Sequence, residues 1–295
     1  MYKAVFLDLD GTLLDDDKNI SIENKMAIKK AKDNGAIVCI CSGRQQDFVK
    51  DLKEEAGASR YIICSNGTQI FDCDSGEEIF AMTVEEELTS DLYEIAKAKD
   101  YVIKLDTRYG KFINSDKFYF PTEMLIGEDY ERFLSENKVL QITIATDTEE
   151  EVDEIIRYLT GLKRTDIKIY NKYKSATKEG REFWGMNVIN SNASKGNAIN
   201  GLCKFLKIDV NEAIAMGDDL NDVSMMEAVG MGVAMGNACD AVKRSAKEVT
   251  KTNNENGVAE TLNKLASLDV EFLLNKKFIL QKEIYTCYKH KAHNN

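Results

Sequence analysis

The chain opens with short apolar runs that alternate with amphipathic stretches. Lys3–Leu9 is almost continuously apolar, which is the pattern of a parallel strand buried on both faces. Ser21–Asn34 has the pattern of a helix, and Gly35 is placed to end it. The alternation continues with a strand at Ala36–Cys41, a helix at Gln45–Ala56 and a strand at Tyr61–Cys64. This β-α-β-α-β order predicts an α/β fold with a doubly wound parallel sheet.

The rhythm changes after about Met82 and returns at about Ser194. Between them, strand pairs are separated by helices, which is typical of an α+β module with an open sheet. The elements predicted there are helices at Val84–Lys99, Asp129–Glu136 and Glu149–Thr160 and strands at Tyr101–Leu105, Lys111–Asn114, Leu140–Thr146, Ile167–Tyr170 and Phe183–Asn187. The later elements are helices at Ser194–Leu206, Asn221–Val229, Ala238–Ser245 and Gly257–Leu265 and strands at Ala213–Met216 and Gly232–Met235. We therefore predict a core domain at residues 1–82 and 188–270, interrupted by an inserted domain at 83–187.

Residues 271–295 differ from the rest of the chain. They are apolar early and basic late, and they contain five lysines and two glutamates. Since the whole chain has a net charge of −11, the part before this C-terminal extension carries −14. Two interpretations stay open, an extra helix that packs on the body and frays at its end or an element of self-association. The predicted oligomeric state is accordingly a monomer or a homodimer.

The chain has two histidines, His290 and His293, and both lie in its last six positions. A histidine that acts in the folded body is therefore excluded, and with it Ser-His-Asp and Cys-His mechanisms. The seven cysteines include no Cys-x-x-Cys pair, which argues against a thiolate zinc site. Catalysis is left to carboxylates, lysine, hydroxyls or a bound ion.

Charge and hydropathy predict a cytoplasmic protein. A net charge of −11 argues against partners such as nucleic acid or anionic membranes. Apolar stretches stay well short of the roughly 18 residues that a membrane span needs. Met1 leads directly into the first predicted strand, so no signal peptide is expected.

Acidic residues follow the first predicted strand, which ends in Asp8-Leu9-Asp10-Gly11-Thr12. Side chains two positions apart lie on one face of an extended strand, so Asp8 and Asp10 can face the same pocket. Gly11 allows a sharp turn that brings backbone N–H groups close to an anion. Ligands of open α/β sheets bind at the carboxyl ends of strands, where this segment lies.

A second acidic segment, Gly217-Asp218-Asp219-Leu220-Asn221-Asp222, follows the strand at Ala213–Met216. Together the two segments bring five carboxylates to strand ends, and these cannot all stay ionised without a cation. Oxygen ligands of this kind suit Mg²⁺, which binds few carboxylates and keeps water or substrate phosphate as its other ligands. The sequence thus predicts a magnesium site.

Two further segments carry groups that bind phosphate. Ser42-Gly43-Arg44 follows the second strand and offers a hydroxyl and backbone N–H groups, and Lys195 opens a helix where it can offset phosphoryl charge. Each segment alone has an ordinary explanation, as a turn, a helix cap or a surface lysine. The functional interpretation depends on their conjunction, since all four occur in order at strand ends or helix starts.

These four segments resemble the motifs of the haloacid dehalogenase (HAD) superfamily. The matching stretches are Asp8-Leu9-Asp10-Gly11-Thr12-Leu13-Leu14, Ser42-Gly43-Arg44, Ser194-Lys195-Gly196 and Gly217-Asp218-Asp219-Leu220-Asn221-Asp222, together with Ser65-Asn66-Gly67 and Gly232-Val233-Ala234-Met235-Gly236-Asn237-Ala238. The insert resembles the type IIB cap of the Cof-like phosphatases. The resemblance covers residues 1–266 and implies a Rossmann-like HAD core with an inserted α+β cap domain.

The resemblance also implies roles for individual residues. Asp8 is the expected nucleophile that forms an aspartyl-phosphate, and Asp10 the expected general acid and base. Ser42 and Lys195 complete the expected catalytic set. The expected Mg²⁺ ligands are Asp8, the backbone carbonyl of Asp10, and Asp218, with Asp219 and Asp222 binding directly or through other groups. The expected phosphate-binding groups are Leu9, Gly11, Ser42, Gly43, Lys195 and Asn221, with Arg44 and Asn66 nearby.

The function implied is a Mg²⁺-dependent phosphatase that hydrolyses small phosphorylated metabolites, with sugar phosphates favoured. A phosphomutase or phosphotransferase needs the same intermediate, and the motifs do not separate it from a phosphatase. A phospho-acceptor regulatory protein of the receiver type is a third interpretation. The insert and the acid/base position at Asp10 weigh against it, because receivers are far shorter and lack both.

Overall fold

The computed structural model describes residues 2–118, 123–127, 129–177 and 180–265. They form two compact units. The first unit takes its described residues from 1–40, 51–59 and 203–265, and the second takes them from 41–50 and 60–202. The predicted C-terminal extension at 271–295 lies outside the described residues. Within the described residues, no helix has the length and apolar character that crossing a membrane requires.

Helices and strands alternate along the described chain much as the sequence predicts. The helices are α1 (Ile22–Asp33), α2 (Gln46–Ala56), α3 (Glu86–Lys99), α4 (Tyr130–Glu136), α5 (Glu149–Gly161), α6 (Lys195–Leu206), α7 (Val223–Ala228), α8 (Asp240–Ser245) and α9 (257–265). The strands are β1 (Ala4–Leu7), β2 (Ile37–Cys41), β3 (Tyr61–Cys64), β4 (Gln69–Asp72), β5 (Glu77–Ala81), β6 (Val102–Thr107), β7 (Gly110–Ile113), β8 (Glu123–Leu125), β9 (Val139–Thr146), β10 (Ile167–Ala176), β11 (Glu182–Asn190), β12 (Ala213–Gly217), β13 (Met231–Ala234) and β14 (Glu248–Val249). The predicted α/β class is confirmed.

Parallel strands make the sheet of the first unit, in the order β14-β13-β12-β1-β2. β1 lies between β12 and β2, with Leu7 beside Met216 on one side and beside Ile40 on the other. All four residues of β1 are buried. The apolar run predicts this position correctly, because a strand covered on both faces needs apolar side chains at every position.

Helix α1 of this unit begins and ends where the sequence predicts. The hydroxyl of Ser21 accepts a hydrogen bond from the backbone N–H of Asn24, which satisfies a donor in the first turn. Gly35 follows the helix with a φ of 88°, a conformation that glycine adopts without strain. The buried Asn24 side chain accepts from the N–H of Ala259 and so ties α1 to α9.

In the second unit, β3 and β4 pair antiparallel, and so do β4 and β5. The sequence predicts β3 but neither β4 nor β5. The residues of β5 are exposed or half-buried, so they lack the apolar run that reveals a buried strand. The hairpin is instead stabilised at its turn, where Asp72 accepts hydrogen bonds from the Nε of Arg60 at 2.7 Å and from the N–H of Asp74 at 3.0 Å.

A six-stranded sheet forms the larger part of the second unit, in the order β10-β11-β9-β6-β7-β8. One face packs against two helices, α3 and α5, through a buried apolar cluster that includes Leu88, Leu92, Ile103, Leu105, Ile142, Ile144, Val152 and Ile155. Polar residues alternate with these on β6 and β9, so the opposite face is largely polar. β10 extends beyond the predicted Ile167–Tyr170. The prediction ends too early because the later residues of the strand are mostly polar and carry no apolar signal.

The turn Ser65–Gly67 joins β3 to β4 through three successive residues with positive φ, of 48°, 57° and 88°. It lies against the start of α6. A Cβ at Gly67 would stand 2.2 Å from the carbonyl oxygen of Ser194 and 2.9 Å from the nitrogen of Lys195. Glycine is therefore required here both by its conformation and by the close approach of another backbone.

We expect Asp72→Asn to unfold at a lower urea concentration than the wild type at pH 7. Hydrogen bonding to Arg60 is the main cause that lowers the pKa of Asp72 to about 2. The unfolded-state pKa is about 3.9, so this stabilisation is complete above that value and is lost as the pH falls through about 2. The gap between the two unfolding midpoints should close over that range. A gap that does not change with pH would contradict the ion pair.

We expect Gly67→Ala to lower the free energy of unfolding by about 1–3 kcal/mol more than Gly76→Ala. Gly76 is the matched control, because its φ of 73° also strains an alanine but a Cβ there meets no atom within 4 Å. The extra loss at Gly67 comes from the overlap with Ser194. Urea titration of both variants measures it, and equal losses would show that this contact relaxes without cost.

Candidate active site

The parallel pairing of β1 and β12 positions the first two carboxylates. Leu7 lies beside Met216, and the N–H of Asp8 donates to the Met216 carbonyl at 3.0 Å. Asp8 and Asp218 thus follow neighbouring strands at the same sheet edge. This is the edge at which α/β sheets bind ligands.

Three carboxylates converge there, from Asp8, Asp218 and Asp222. Each offers one oxygen, and the three oxygens lie within 4.8 Å of one another. Asp8 and Asp222 are buried and Asp218 is half-buried. Buried carboxylates this close repel one another unless a cation or proton compensates. An oxygen-only set with negative charge fits a hard divalent cation, so the residues present suit the predicted metal site.

Asp222 is held in place by the backbone of the same loop. Its Oδ2 accepts hydrogen bonds from the N–H groups of Asp218 and Asp219, at 2.9 and 3.0 Å. Gly217 leaves room for this arrangement, since a Cβ there would lie 2.4 Å from the Cβ of Asp222. The loop therefore orients one oxygen of Asp222 before any ligand binds.

Thr12 and Gly11 contact Asp218 from the other segment. The Thr12 hydroxyl donates to Oδ1 of Asp218 at 2.8 Å. Gly11 has a φ of 78°, and a Cβ at that position would approach Oδ2 of Asp218 to 2.3 Å. The turn after β1 thus fits closely around the carboxylate. The sequence places Thr12 in a motif but does not reveal that its hydroxyl holds Asp218.

The side chains of Asp10 and Asp219 lie outside this group of three. Asp10 forms an ion pair with Lys18 at 3.1 Å, on the exposed side of the loop. Asp219 accepts from the N–H of Leu220 at 2.7 Å and so caps the turn Leu220–Asp222. Of the five predicted carboxylates, the structure therefore brings three together. No sequence pattern indicates the role of Lys18, which is eight positions from its partner.

Two other predicted residues of the first unit lie within these loops. Leu9 is fully buried, and its carbonyl accepts from the N–H groups of Thr12 and Leu14. Asn221 is the middle residue of the capped turn Leu220–Asp222. Both are therefore positioned by backbone hydrogen bonds of the acidic loops.

Asparagine side chains brace the turn after β1. Asn237 donates to the carbonyl of Gly11 at 2.8 Å, and its own oxygen accepts from the N–H of Asn253. The buried side chain of Asn253 donates to the carbonyl of Leu14 at 3.1 Å. Asn237 belongs to a matched motif, but its role becomes visible only when β13 and β1 are placed in one sheet.

The second unit holds the remaining predicted residues. Ser42 is buried, and its hydroxyl accepts from the N–H of Arg44 at 3.1 Å, which leaves the hydroxyl proton to donate elsewhere. The carbonyl of Ser42 accepts from the N–H of Asn66. A Cβ at Gly43 would come within 2.9 Å of the Asn66 side chain. Ser42, Gly43 and Asn66 are therefore neighbours.

Lys195 joins this cluster through the turn Ser65–Gly67. It is the first residue of α6 and 1% exposed, so it is not the solvated surface lysine that its residue type alone would suggest. Since Gly67 lies against the backbone of Ser194 and Lys195, the turn brings Asn66 close to the start of α6. The Ser42 hydroxyl, the buried Lys195 and backbone N–H groups are each of a kind that binds phosphate.

Comparison with known proteins agrees with this geometry. A family model described as haloacid dehalogenase-like hydrolase matches residues 5–262. The phosphatase YwpJ of Bacillus subtilis is 29% identical over 89% of this chain and 99% of its own. A second B. subtilis protein, named 5-amino-6-(5-phospho-D-ribitylamino)uracil phosphatase YcsE, is 31% identical over 88% of this chain and 94% of its own.

Solved structures of haloacid dehalogenase-like hydrolases also align with this chain. A haloacid dehalogenase-like hydrolase from Bacteroides thetaiotaomicron aligns with a TM-score of 0.71 at 26% identity and covers 90% of this chain and all of its own. One from B. subtilis aligns with a TM-score of 0.68 at 26% identity, over 88% of this chain and 99% of its own. These matches confirm the predicted core-and-cap fold class and the predicted enzyme class, a phosphatase. The chain belongs to the haloacid dehalogenase-like hydrolase family.

Proposed function

We propose that the protein is a Mg²⁺-dependent phosphatase that hydrolyses small phosphorylated metabolites through an aspartyl-phosphate on Asp8. The observation that carries this proposal is the convergence of Asp8, Asp218 and Asp222 in a chain of this family. When bound by these residues, Mg²⁺ offsets negative charge on the carboxylates and on the phosphoryl group. We keep residues 83–187 as the proposed cap and residues 1–82 and 188–270 as the proposed core.

In the first step, a carboxylate oxygen of Asp8 attacks phosphorus. The bond from phosphorus to the leaving oxygen breaks, and Asp10 donates its proton to that oxygen. In the second step Asp10 takes a proton from water, the water oxygen attacks phosphorus, and the bond to Asp8 breaks to release phosphate. No histidine is needed, because both roles belong to aspartates.

We assign phosphate binding to the groups identified in the two units. Ser42, Gly43, Lys195 and Asn221 contribute the direct contacts, together with the backbone of Leu9 and Gly11. The buried ammonium group of Lys195 stabilises the charge that develops on the phosphoryl oxygens. Arg44 and Asn66 support the same loop, since the N–H of each bonds to Ser42.

We propose a sugar or polyol phosphate as the substrate. Three relatives from B. subtilis, YcsE, YwtE and YitU, are named for a substrate that carries its phosphate on a ribityl chain. Identities of 31%, 30% and 28% to these proteins support the chemical class of the substrate, a phosphorylated polyol.

We expect the purified protein to hydrolyse p-nitrophenyl phosphate in the presence of Mg²⁺ and to lose this activity in EDTA. Asp8→Asn should lower kcat by at least about 1,000-fold, since the amide is a poor nucleophile for phosphorus. Asp17→Asn makes the same chemical change in an exposed loop and serves as the control. Release of p-nitrophenol measures the rate. Wild-type turnover by Asp8→Asn would exclude the proposed nucleophile.

Water is the expected acceptor of the phosphoryl group. Turnover in ¹⁸O-labelled water should therefore place one ¹⁸O in each phosphate released, as detected by mass spectrometry. Addition of a sugar acceptor should not reduce the labelled product. Loss of labelled phosphate together with a newly phosphorylated sugar that carries no ¹⁸O would instead identify a phosphotransferase that uses the same intermediate.

A further inference from the structure

The polar face of the six-stranded sheet lines a cavity of about 390 Å³ within the second unit. A second cavity of about 290 Å³ lies beside it and is lined in part by Gly43 and Arg44. Both cavities share Phe48, Asp106, Lys111 and Gln141 in their linings. The residues that follow β2 and the polar face of the sheet therefore line adjacent cavities.

Asp106 lies at the junction of the two cavities. It is on β6 and is 7% exposed, and burial raises the pKa of its carboxyl above the ordinary value. Nε2 of Gln141, on the neighbouring strand β9, donates to Oδ2 of Asp106 at 3.2 Å. Gln45 also bonds to this carboxylate. Gln45 directly follows Ser42-Gly43-Arg44. Its hydrogen bond to Asp106 therefore connects the sheet to the segment expected to bind phosphate.

The rest of the polar face supplies hydrogen-bonding groups, and two of its charged side chains compensate each other. Lys104 forms an ion pair with Glu123 at 2.9 Å, and both are buried. The Thr143 hydroxyl donates to Oδ1 of Asn187 at 2.8 Å, which leaves the amide protons of Asn187 as donors. A carboxylate, two amides and a hydroxyl form a mixed set of acceptors and donors. Hydroxyl groups, which both donate and accept, match such a set.

We propose that Asp106, oriented by Gln45 and Gln141, is a specificity-determining residue that binds a hydroxyl group of the leaving group. The proposal rests on the proposed phosphatase function and deepens it. A phosphate held at Ser42-Gly43-Arg44 directs the rest of the substrate into the cavity lined by Arg44 and Asp106. The substrate class that follows is a phosphorylated sugar or polyol with a hydroxyl within reach of Asp106. A site that hydrogen-bonds a substrate hydroxyl discriminates strongly against analogues that lack it.

The test compares kcat/KM for ribose 5-phosphate with kcat/KM for p-nitrophenyl phosphate, whose leaving group has no free hydroxyl. We expect Asp106→Ala to lower the ratio of these two values by about 10- to 100-fold, the loss of a hydrogen bond to a charged group. Asp106→Asn retains an acceptor and should lose less. Glu182→Gln removes an exposed carboxylate from β11 of the same sheet and is the matched control, with an unchanged ratio.

A ratio that stays within twofold of the wild type in both Asp106 variants would overturn the inference. So would a wild-type preference for phosphoglycolate, whose leaving group carries a carboxylate. If the Asp106 variants do not fold, Gln141→Leu removes the donor to Asp106 and should lower the ratio in the same direction. A wild type that hydrolyses none of these substrates with Mg²⁺ would instead overturn the proposed function itself, so the two failures are distinguishable.

Discussion

Repulsion among carboxylates at one edge of a parallel sheet is the constraint on which the first unit depends. The pairing of β1 with β12 starts Asp8 and Asp218 side by side, and Asp222 adds a third charge that is fully buried. Neutral donors contact two of the carboxylates: the Thr12 hydroxyl donates to Asp218, and two backbone N–H groups donate to Asp222. Such neutral donors disperse negative charge, and a divalent cation bound by the three carboxylates would offset it.

Buried strands and charged motifs could be predicted from the sequence, whereas contacts made by folding could not. β1, β2, β3 and β12 are apolar at every position, so their pattern alone identifies them. The hairpin β4–β5 is half-exposed and depends on an ion pair at its turn, which no local pattern shows. The same limit applies to the site. Asp8, Asp218 and Asp222 lie in recognisable segments, but the contact of Thr12 with Asp218 joins residues far apart in the chain.

Five acidic residues in two segments differ in what their side chains do. Local backbone geometry makes the difference, because Asp219 caps its own turn and Asp10 extends toward Lys18. A count of carboxylates therefore overstates the number that converge. The six-stranded sheet shows the complementary case, since Asp106 belongs to no motif and yet is bonded by the residue next to Arg44. The segment Ser42-Gly43-Arg44 is thus linked to Asp106 through the next residue, Gln45.

The pairing of β1 with β12 also has a consequence for synthesis of the chain. Ala4 pairs with Ala213, whereas the six-stranded sheet comes from one continuous segment, residues 102–190. On the ribosome, every strand of that sheet emerges before β12 does, so the second unit can begin to fold first. β1 must wait for most of the chain before its second neighbour arrives, and closing so long a loop is slow. The group of three carboxylates is therefore completed last, and a chain that terminates before β12 contains Asp8 without Asp218 and Asp222.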